Sequence, residues 1–204
     1  HAKKIVLLIL DEEKNKIENA FKILAKKRYN NKTILITGAS SGIGEVFAKR
    51  LNEYGAKLIL TARSEDKLLK MASKMNDAHV IAGDLSKKEF SKELYNKVKE
   101  KNLNVDILIN NAGFGYSGKF LDSTMENYDE MINLNIVSLV HLTHLFLKDM
   151  VKNKQGGIIN ISSLASFQPI PYFSIYAATK AFVTSFTLSL YEEYRKKNIQ
   201  VLGV

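Results

Sequence analysis

Ile34-Leu35-Ile36-Thr37-Gly38-Ala39-Ser40-Ser41-Gly42-Ile43-Gly44 is the stretch on which the reading of this chain turns. A short apolar run breaks into three glycines and resumes as a helical pattern, which reads as strand, phosphate-binding turn and helix. Continuous apolar character suits a strand buried on both faces, as in a parallel sheet covered by helices. Glycine at the turn permits a positive φ, and the missing Cβ lets a pyrophosphate approach the backbone. The first N–H groups of the following helix, at its positive dipole end, then face the anion. The spacing Gly-x-x-x-Gly-x-Gly differs from the Gly-x-Gly-x-x-Gly dinucleotide fingerprint, so by itself the stretch also fits an ordinary glycine-rich turn.

The surrounding chain has 204 residues, close to the size of one domain and long enough to bury a sizeable core. Hydrophobic residues make up 46% and charged residues 25%, the usual balance of a globular protein. The formal charge of +9 raises nucleic acid as a partner, but the lysines spread over many expected helices and do not gather with aromatics into one stripe, which argues against it. There is no cysteine, so no disulfide framework and no need for an oxidising compartment. No run reaches the roughly 18 apolar residues of a transmembrane helix. Ile5 to Leu10 is too short for a targeting segment and runs into Asp11-Glu12-Glu13 without a small-residue cleavage site. A cytoplasmic location is expected.

Residues 1–31 read as an N-terminal extension, a short strand at Ile5–Leu10 followed by an amphipathic helix at Glu12–Asn30. Ile17, Ala20, Phe21, Leu24 and Ala25 form its single apolar stripe. Such a helix must dock, and its own domain or a partner is favoured over an anionic membrane surface. From residue 32 to 204, short β-rich runs alternate with helical patterns, the signature of βαβ units. Strands are expected at Thr33–Thr37, Lys57–Thr61, Ala78–Ile81, Asp106–Asn110, Gly157–Ile161 and Ile199–Val204. The expected fold class is α/β, a doubly wound parallel sheet with helices on both faces and a dinucleotide crevice at its carboxyl edge.

The strand ends carry polar groups to that edge. Arg63 follows the second strand, where an acidic group binds the 2′-hydroxyl of NAD and an arginine accommodates the 2′-phosphate of NADP. Glu65 and Asp66 follow closely and can bind a ribose, which tempers the preference. Asp84-Leu85 ends the third strand, where Asp84 can accept from the adenine amino group, and Asn110-Asn111-Ala112-Gly113 ends the fourth. The helix over about Met125–Lys152 is apolar on nearly every side, so one face should meet the sheet and another a second subunit. Asn135 lies within it as a buried polar group whose carbonyl or amide can hold a water. His141 and His144 share a face, but no carboxylate or cysteine nearby completes a metal set, so no metal is expected.

Asn160-Ile161-Ser162-Ser163 ends the fifth strand, and the next helix carries Tyr176-Ala177-Ala178-Thr179-Lys180. At i and i+4 the Lys180 ammonium lies beside the Tyr176 phenol. A free tyrosine ionises near pH 10, and bringing it three units lower needs about 4 kcal/mol, which an ammonium and the positive ring of an oxidised nicotinamide can supply. Phe114, Tyr116, Leu164, Phe167, Ile170 and Tyr172 suggest one apolar pocket beside this pair.

Taken together, Thr37-Gly38-Ala39-Ser40-Ser41-Gly42-Ile43-Gly44, Asp84-Leu85, Asn110-Asn111-Ala112-Gly113, Asn135, Ser163 and Tyr176-Ala177-Ala178-Thr179-Lys180 resemble the short-chain dehydrogenase/reductase family over about Lys32 to Val204. Motifs that follow one another in order and in register make the resemblance specific. It implies a Rossmann fold and an enzyme that interconverts a carbonyl and an alcohol with a nicotinamide cofactor. By the family's separation from the tyrosine, Ser163 is the catalytic serine, with Ser162 second. The resemblance further implies that Ser163 donates to the substrate oxygen and Tyr176 acts as general acid. Lys180 would assist the phenol and bond the nicotinamide ribose, and Asn135 would hold a relay water. The cofactor is expected to contact Gly38, Ser40, Ser41, Gly42, Ile43, Gly44, Arg63, Asp84, Leu85, Asn111, Ala112, Gly113, Tyr176 and Lys180. NADP(H) is expected over NAD(H), with a small apolar carbonyl or alcohol as substrate.

Two expectations complete the reading. Family members continue past the sixth strand into a Pro-Gly turn, a substrate lid and a last strand, whereas this sequence stops at Val204 and the lid and last strand are read as missing. A homodimer or homotetramer is expected through the helices bearing Asn135 and Tyr176, since small residues such as Ala181 and Ser185 let helices approach. A nucleotide sensor would keep the glycine turn and Arg63 without needing Ser163, Tyr176 and Lys180 together, and a scaffold would need none of them.

Overall fold

Alternate residues of a strand point to opposite faces, so a strand apolar at every position must be covered on both sides. The computed structural model, which describes residues 23–204, meets that demand with a six-stranded parallel sheet in the order β3-β2-β1-β4-β5-β6. The strands are β1 (Thr33–Thr37), β2 (Lys57–Thr61), β3 (Ala78–Val80), β4 (Ile107–Asn110), β5 (Gly156–Asn160) and β6 (Ile199–Gly203). Every one falls within a residue or so of its expected position. The helices are α1 (Gly42–Glu53), α2 (Glu65–Ala72), α3 (Phe90–Glu100), α4 (Met125–Ile132), α5 (Ser138–Lys152) and α6 (Ser174–Tyr194).

Two apolar layers result. Ile34 and Ile36 of β1, with Leu58, Leu60 and Ile109, pack under Ala48 and Leu51 of α1 and Leu68 of α2. Leu35, between them in sequence, faces the other way and joins Ile59, Leu108 and Ile158 beneath Leu94 of α3, Leu142 and Phe146 of α5 and Leu190 of α6. Both layers are fully enclosed at the centre, with Ile34, Leu35 and Ile36 all at 0% exposure. Parallel pairing runs in register, Leu35 opposite Ile59 on one side and Leu108 on the other.

Two expectations change, both on the run Met125–Lys152. The strand expected at Ile5–Leu10 and the first part of the helix Glu12–Asn30 lie outside the described residues. Residues 23–29 are helical, with Ile23 and Leu24 exposed, and Tyr29 reaches the domain by stacking on Tyr54 at 6.4 Å. The run Met125–Lys152 is, after all, long and apolar enough to cross a membrane by length and composition, but Leu139, Leu142, Phe146 and Met150 bury it against the sheet. It is also not one regular helix: Asn133–Val137 forms a π-helical turn between α4 and α5. Single π turns inside helices mark functional positions, and Asn135 sits in this one. On the outer surface of α6, Phe182 and Leu188 are exposed beside Ala181 and Ser185, the surface on which the expectation of self-association rests.

Candidate active site

β1 and β4 are neighbours, yet the helices that follow them leave on opposite faces of the sheet. The chain therefore parts above their carboxyl ends, the place where open α/β sheets bind ligands. A cleft of about 680 Å³ opens there. Its floor is the glycine turn. Gly38 has φ +64° and packs so closely on the β4 end that a Cβ would stand 2.9 Å from Asn111 Nδ2. Gly42 has φ +56° with nothing within 4 Å of where a Cβ would lie, a bare stretch of backbone in the cleft wall. That is the surface a phosphate needs in order to approach main-chain N–H groups at a helix start.

Gly44 serves differently, since a Cβ there would lie 2.3 Å from the Gly38 carbonyl oxygen. The helix rests directly on the turn. Gly44→Ala must push backbone from backbone, so it is expected to cost about 1–3 kcal/mol. Gly42→Ala meets no atom and carries only the left-handed backbone cost of about 1–2 kcal/mol. Urea unfolding of both variants measures the difference, and only Gly44→Ala should also displace the turn.

Thr37 and Asn111 brace the turn from β4. The Thr37 hydroxyl accepts from the N–H groups of Asn111 and Ala112, both at 2.9 Å, and donates to Ile109 O at 3.3 Å. Asn111 Nδ2 donates to Thr37 O at 2.8 Å and Gly38 O at 3.2 Å. Asn111 lines the cleft, but its amide nitrogen holds the protein rather than facing a ligand. Asn110 is buried, donating to Thr143 Oγ1 and Asn160 Oδ1 behind the site.

At one end of the cleft Arg63, Ser64 and Lys67 converge with Ser40 and Ser41, and Arg63 Nη1 lies 3.3 Å from Glu130 Oε1 of α4. Asp84 and Leu85 line the wall beside them, with Asp84 Oδ1 accepting from Ser86 N and Oγ at 3.0 and 2.8 Å. At the other end stand Tyr176 and Lys180. Lys180 is 6% exposed, and its Nζ donates to Ile161 O at 2.8 Å while lying 5.7 Å from the Tyr176 ring centre. Burial lowers its pKa from 10.5 to about 8. The Tyr176 ring is held by Phe173, edge-on at 5.9 Å, and by Gly115, where a Cβ would come within 2.8 Å of Cδ2.

Three of the anticipated site residues are not among those lining the cleft: Gly44, Asn135 and Ser163. The Asn135 amide is fully engaged, accepting from Phe114 N at 3.1 Å and donating to Phe114 O at 2.9 Å and Thr179 Oγ1 at 3.0 Å. It ties the loop after β4 to α6. Of the two serines, Ser162 lines the cleft, but its hydroxyl contacts Thr184 Oγ1 at 2.6 Å and donates to Lys180 O at 3.2 Å. Ser163 caps the short 3₁₀ turn Leu164–Ser166, accepting from Ala165 N at 3.1 Å. Its proton remains free of that bond.

The expected single apolar pocket divides. Phe114 lines the cleft, whereas Phe167 and Ile170 line a separate groove with Ala177, Ala178 and Ala181 of α6. Leu164 and Tyr172 are exposed at 86% and 60%. The loop from β5 to α6 turns at Tyr172, whose φ is +67° and whose carbonyl accepts from Gly118 N at 2.9 Å. Among the described residues no group of three or more His, Cys, Asp or Glu is placed to hold a metal ion. Thr37, Thr179 and Phe173 brace the site as well, and each lies within or beside a quoted motif. Glu130 and Lys67 gave no local signal.

The family model described as short chain dehydrogenase matches residues 32–204. The human very-long-chain 3-oxoacyl-CoA reductase is 38% identical over 177 residues, covering 83% of this chain and 57% of that protein. The bulky-bulky ketone specific alcohol dehydrogenase of Comamonas testosteroni superposes with a TM-score of 0.81 at 34% identity, covering 86% of this chain and 72% of the other. A short-chain dehydrogenase of Sphingobium yanoikuyae, solved with NADPH, gives a TM-score of 0.80 at 34% identity, covering 84% and 69%. The chain thus spans little more than half the length of the human relative.

Proposed function

This chain belongs to the short-chain dehydrogenase family, and from that premise we propose that it interconverts a ketone and an alcohol on an apolar small molecule, using NADP(H) in preference to NAD(H). The observation that carries this reading is the buried Lys180 cation beside the Tyr176 phenol in the same cleft as the bare glycine turn. A sensor that only holds a nucleotide has no use for a proton donor aimed into the cleft.

The cleft fits a dinucleotide on its own terms: open backbone at Gly42, hydroxyls at Ser40 and Ser41, a guanidinium at Arg63, and Asp84 along the wall. A nicotinamide bound there supplies the hydride in reduction and takes it in oxidation. Ser163 donates to the substrate oxygen, where charge grows toward the transition state and a donor contributes most. The competing engagement of Ser162 with Lys180 O and Thr184 supports that choice of serine. Tyr176 gives the substrate oxygen its proton. Lys180 donates to the nicotinamide ribose and keeps positive charge near the phenol. Because the Asn135 amide is taken up by Phe114 and Thr179, the relay water falls to its backbone carbonyl within the π-helical turn.

Relatives named for a 3-oxoacyl-CoA and for bulky ketones support a ketone on an apolar frame, as does Phe114 in the cleft. The test is loss of NADPH absorbance with a panel of ketones, repeated with Arg63→Asp. A carboxylate at that position repels the 2′-phosphate and accepts from a 2′-hydroxyl, so the ratio of NADPH to NADH affinity should fall by about tenfold or more. A wild type that already favours NADH would overturn the cofactor preference.

A further inference from the structure

Arg63 extends from the loop after β2 into a corner that also holds Ser40, Ser41, Ser64 and Lys67, and its nearest charged partner comes from a distant part of the chain. Glu130 Oε1 lies 3.3 Å from Arg63 Nη1, across 67 positions of sequence. The neighbouring acids Glu65 and Asp66 make no ion pair with Arg63 among the described residues. Glu130 is held in place by its helix. Met131 beside it is fully buried, Tyr128 is 6% exposed with its hydroxyl donating to Phe120 O at 2.7 Å, and Thr124 caps the helix start through Asn127 N. With those anchors the rotation of α4 is set, and the backbone of Glu130 is held where its carboxylate reaches Arg63.

Resting on the reading of Arg63 as the 2′-phosphate ligand, we propose that Glu130 is a specificity-determining residue whose carboxylate competes with the cofactor's 2′-phosphate for the Arg63 guanidinium and moderates the preference for NADPH over NADH. The phosphate carries close to two negative charges, so it gains from the guanidinium and loses from the carboxylate bonded to it. NADH lacks that phosphate, so the carboxylate bears far less on its binding. Ser64 and Lys67 line the same cleft as Arg63, adding donors and one further positive charge that the phosphate can use. The Arg63 and Glu130 side chains are 68% and 40% exposed, so water and salt weaken their attraction and the effect is modest.

The experiment titrates NADPH and NADH by fluorescence against wild type, Glu130→Gln, Arg63→Ala and the double variant, at low and at high salt. Glu130→Gln keeps side-chain shape and removes the charge. Its NADPH dissociation constant should fall about two- to fivefold at low salt, less at high salt, with NADH unchanged. In the Arg63→Ala background Glu130→Gln should give no gain for NADPH beyond the small long-range term. Equal or weaker NADPH binding by Glu130→Gln, or an equal gain with Arg63 absent, would overturn the competition. If Arg63→Ala itself leaves NADPH binding untouched, the 2′-phosphate assignment of Arg63 fails and the role of Glu130 falls with it. A loss in Arg63→Ala without a gain in Glu130→Gln overturns the role of Glu130 alone.

Discussion

Replacing Tyr176 with phenylalanine is expected to lower the turnover of carbonyl reduction by a factor on the order of 10² to 10⁴, the usual loss when a general acid is removed. NADPH affinity should stay within a few-fold of wild type, because the ring and its contacts with Phe173 and Gly115 are retained. Only the hydroxyl disappears. Steady-state kinetics alongside a fluorescence titration separates the two quantities. A variant that binds NADPH and still reduces ketones at close to the wild-type rate would remove Tyr176 from the chemistry and leave the α6 pair as packing.

The second large effect concerns Lys180, and it has opposite signs in two assays. Lys180→Met keeps the length and apolar stem of the side chain but removes the ammonium to which the proposed mechanism gives both the ribose and the phenol. Turnover should fall on the order of 10²-fold and NADPH affinity about ten- to a hundredfold, the range for a lost charged hydrogen bond. Stability should move the other way. Burial lowers the folded-state pKa of Lys180 from 10.5 to about 8, so below pH 8 the fold carries a buried charge that the unfolded chain holds in water. That penalty is about 3 kcal/mol, present in full below pH 8 and relieved as pH rises from 8 toward 10.5, where the unfolded chain binds the extra proton. Lys180→Met should therefore raise the urea midpoint at pH 7, and its advantage should shrink by pH 10. A variant less stable than wild type at pH 7, or an advantage that does not change with pH, would show that burial of the charge is not what governs this site.

Both effects trace to one arrangement. Lys180 is anchored on Ile161 O, which follows β5, while Tyr176 stands one turn earlier on α6. The loop from β5 to α6 must therefore bring a strand end and a helix start together before either side chain can act. Asn135 closes the same unit from the other side through Phe114 and Thr179. Its position in a π-helical turn departs from the regular helix that the apolar pattern of Met125–Lys152 implies, because periodicity reports which faces are buried and is insensitive to one inserted residue.

The sequence by itself determined the order of strands and helices, the parallel character of the sheet, the glycine turn and the Tyr176–Lys180 pair. Each is written in residues that are neighbours in the chain: a run apolar on both faces, a glycine at a position of positive φ, a spacing of four on a helix. Bounds of β1 and β2 follow from the same local signals. What only the tertiary structure decided involves partners far apart. The ion pair of Arg63 with Glu130 spans 67 residues, and the engagement of Asn135 with Thr179 spans 44. Likewise the apolar residues Phe114, Phe167 and Ile170 come to two different surfaces, Phe114 to the cleft and the other two to a groove against α6. Local sequence sets the backbone of each element through short-range sterics and burial. Which charges, amides and hydroxyls end up within 3 Å of one another depends on how the elements pack, and no pattern within a single element encodes that distance.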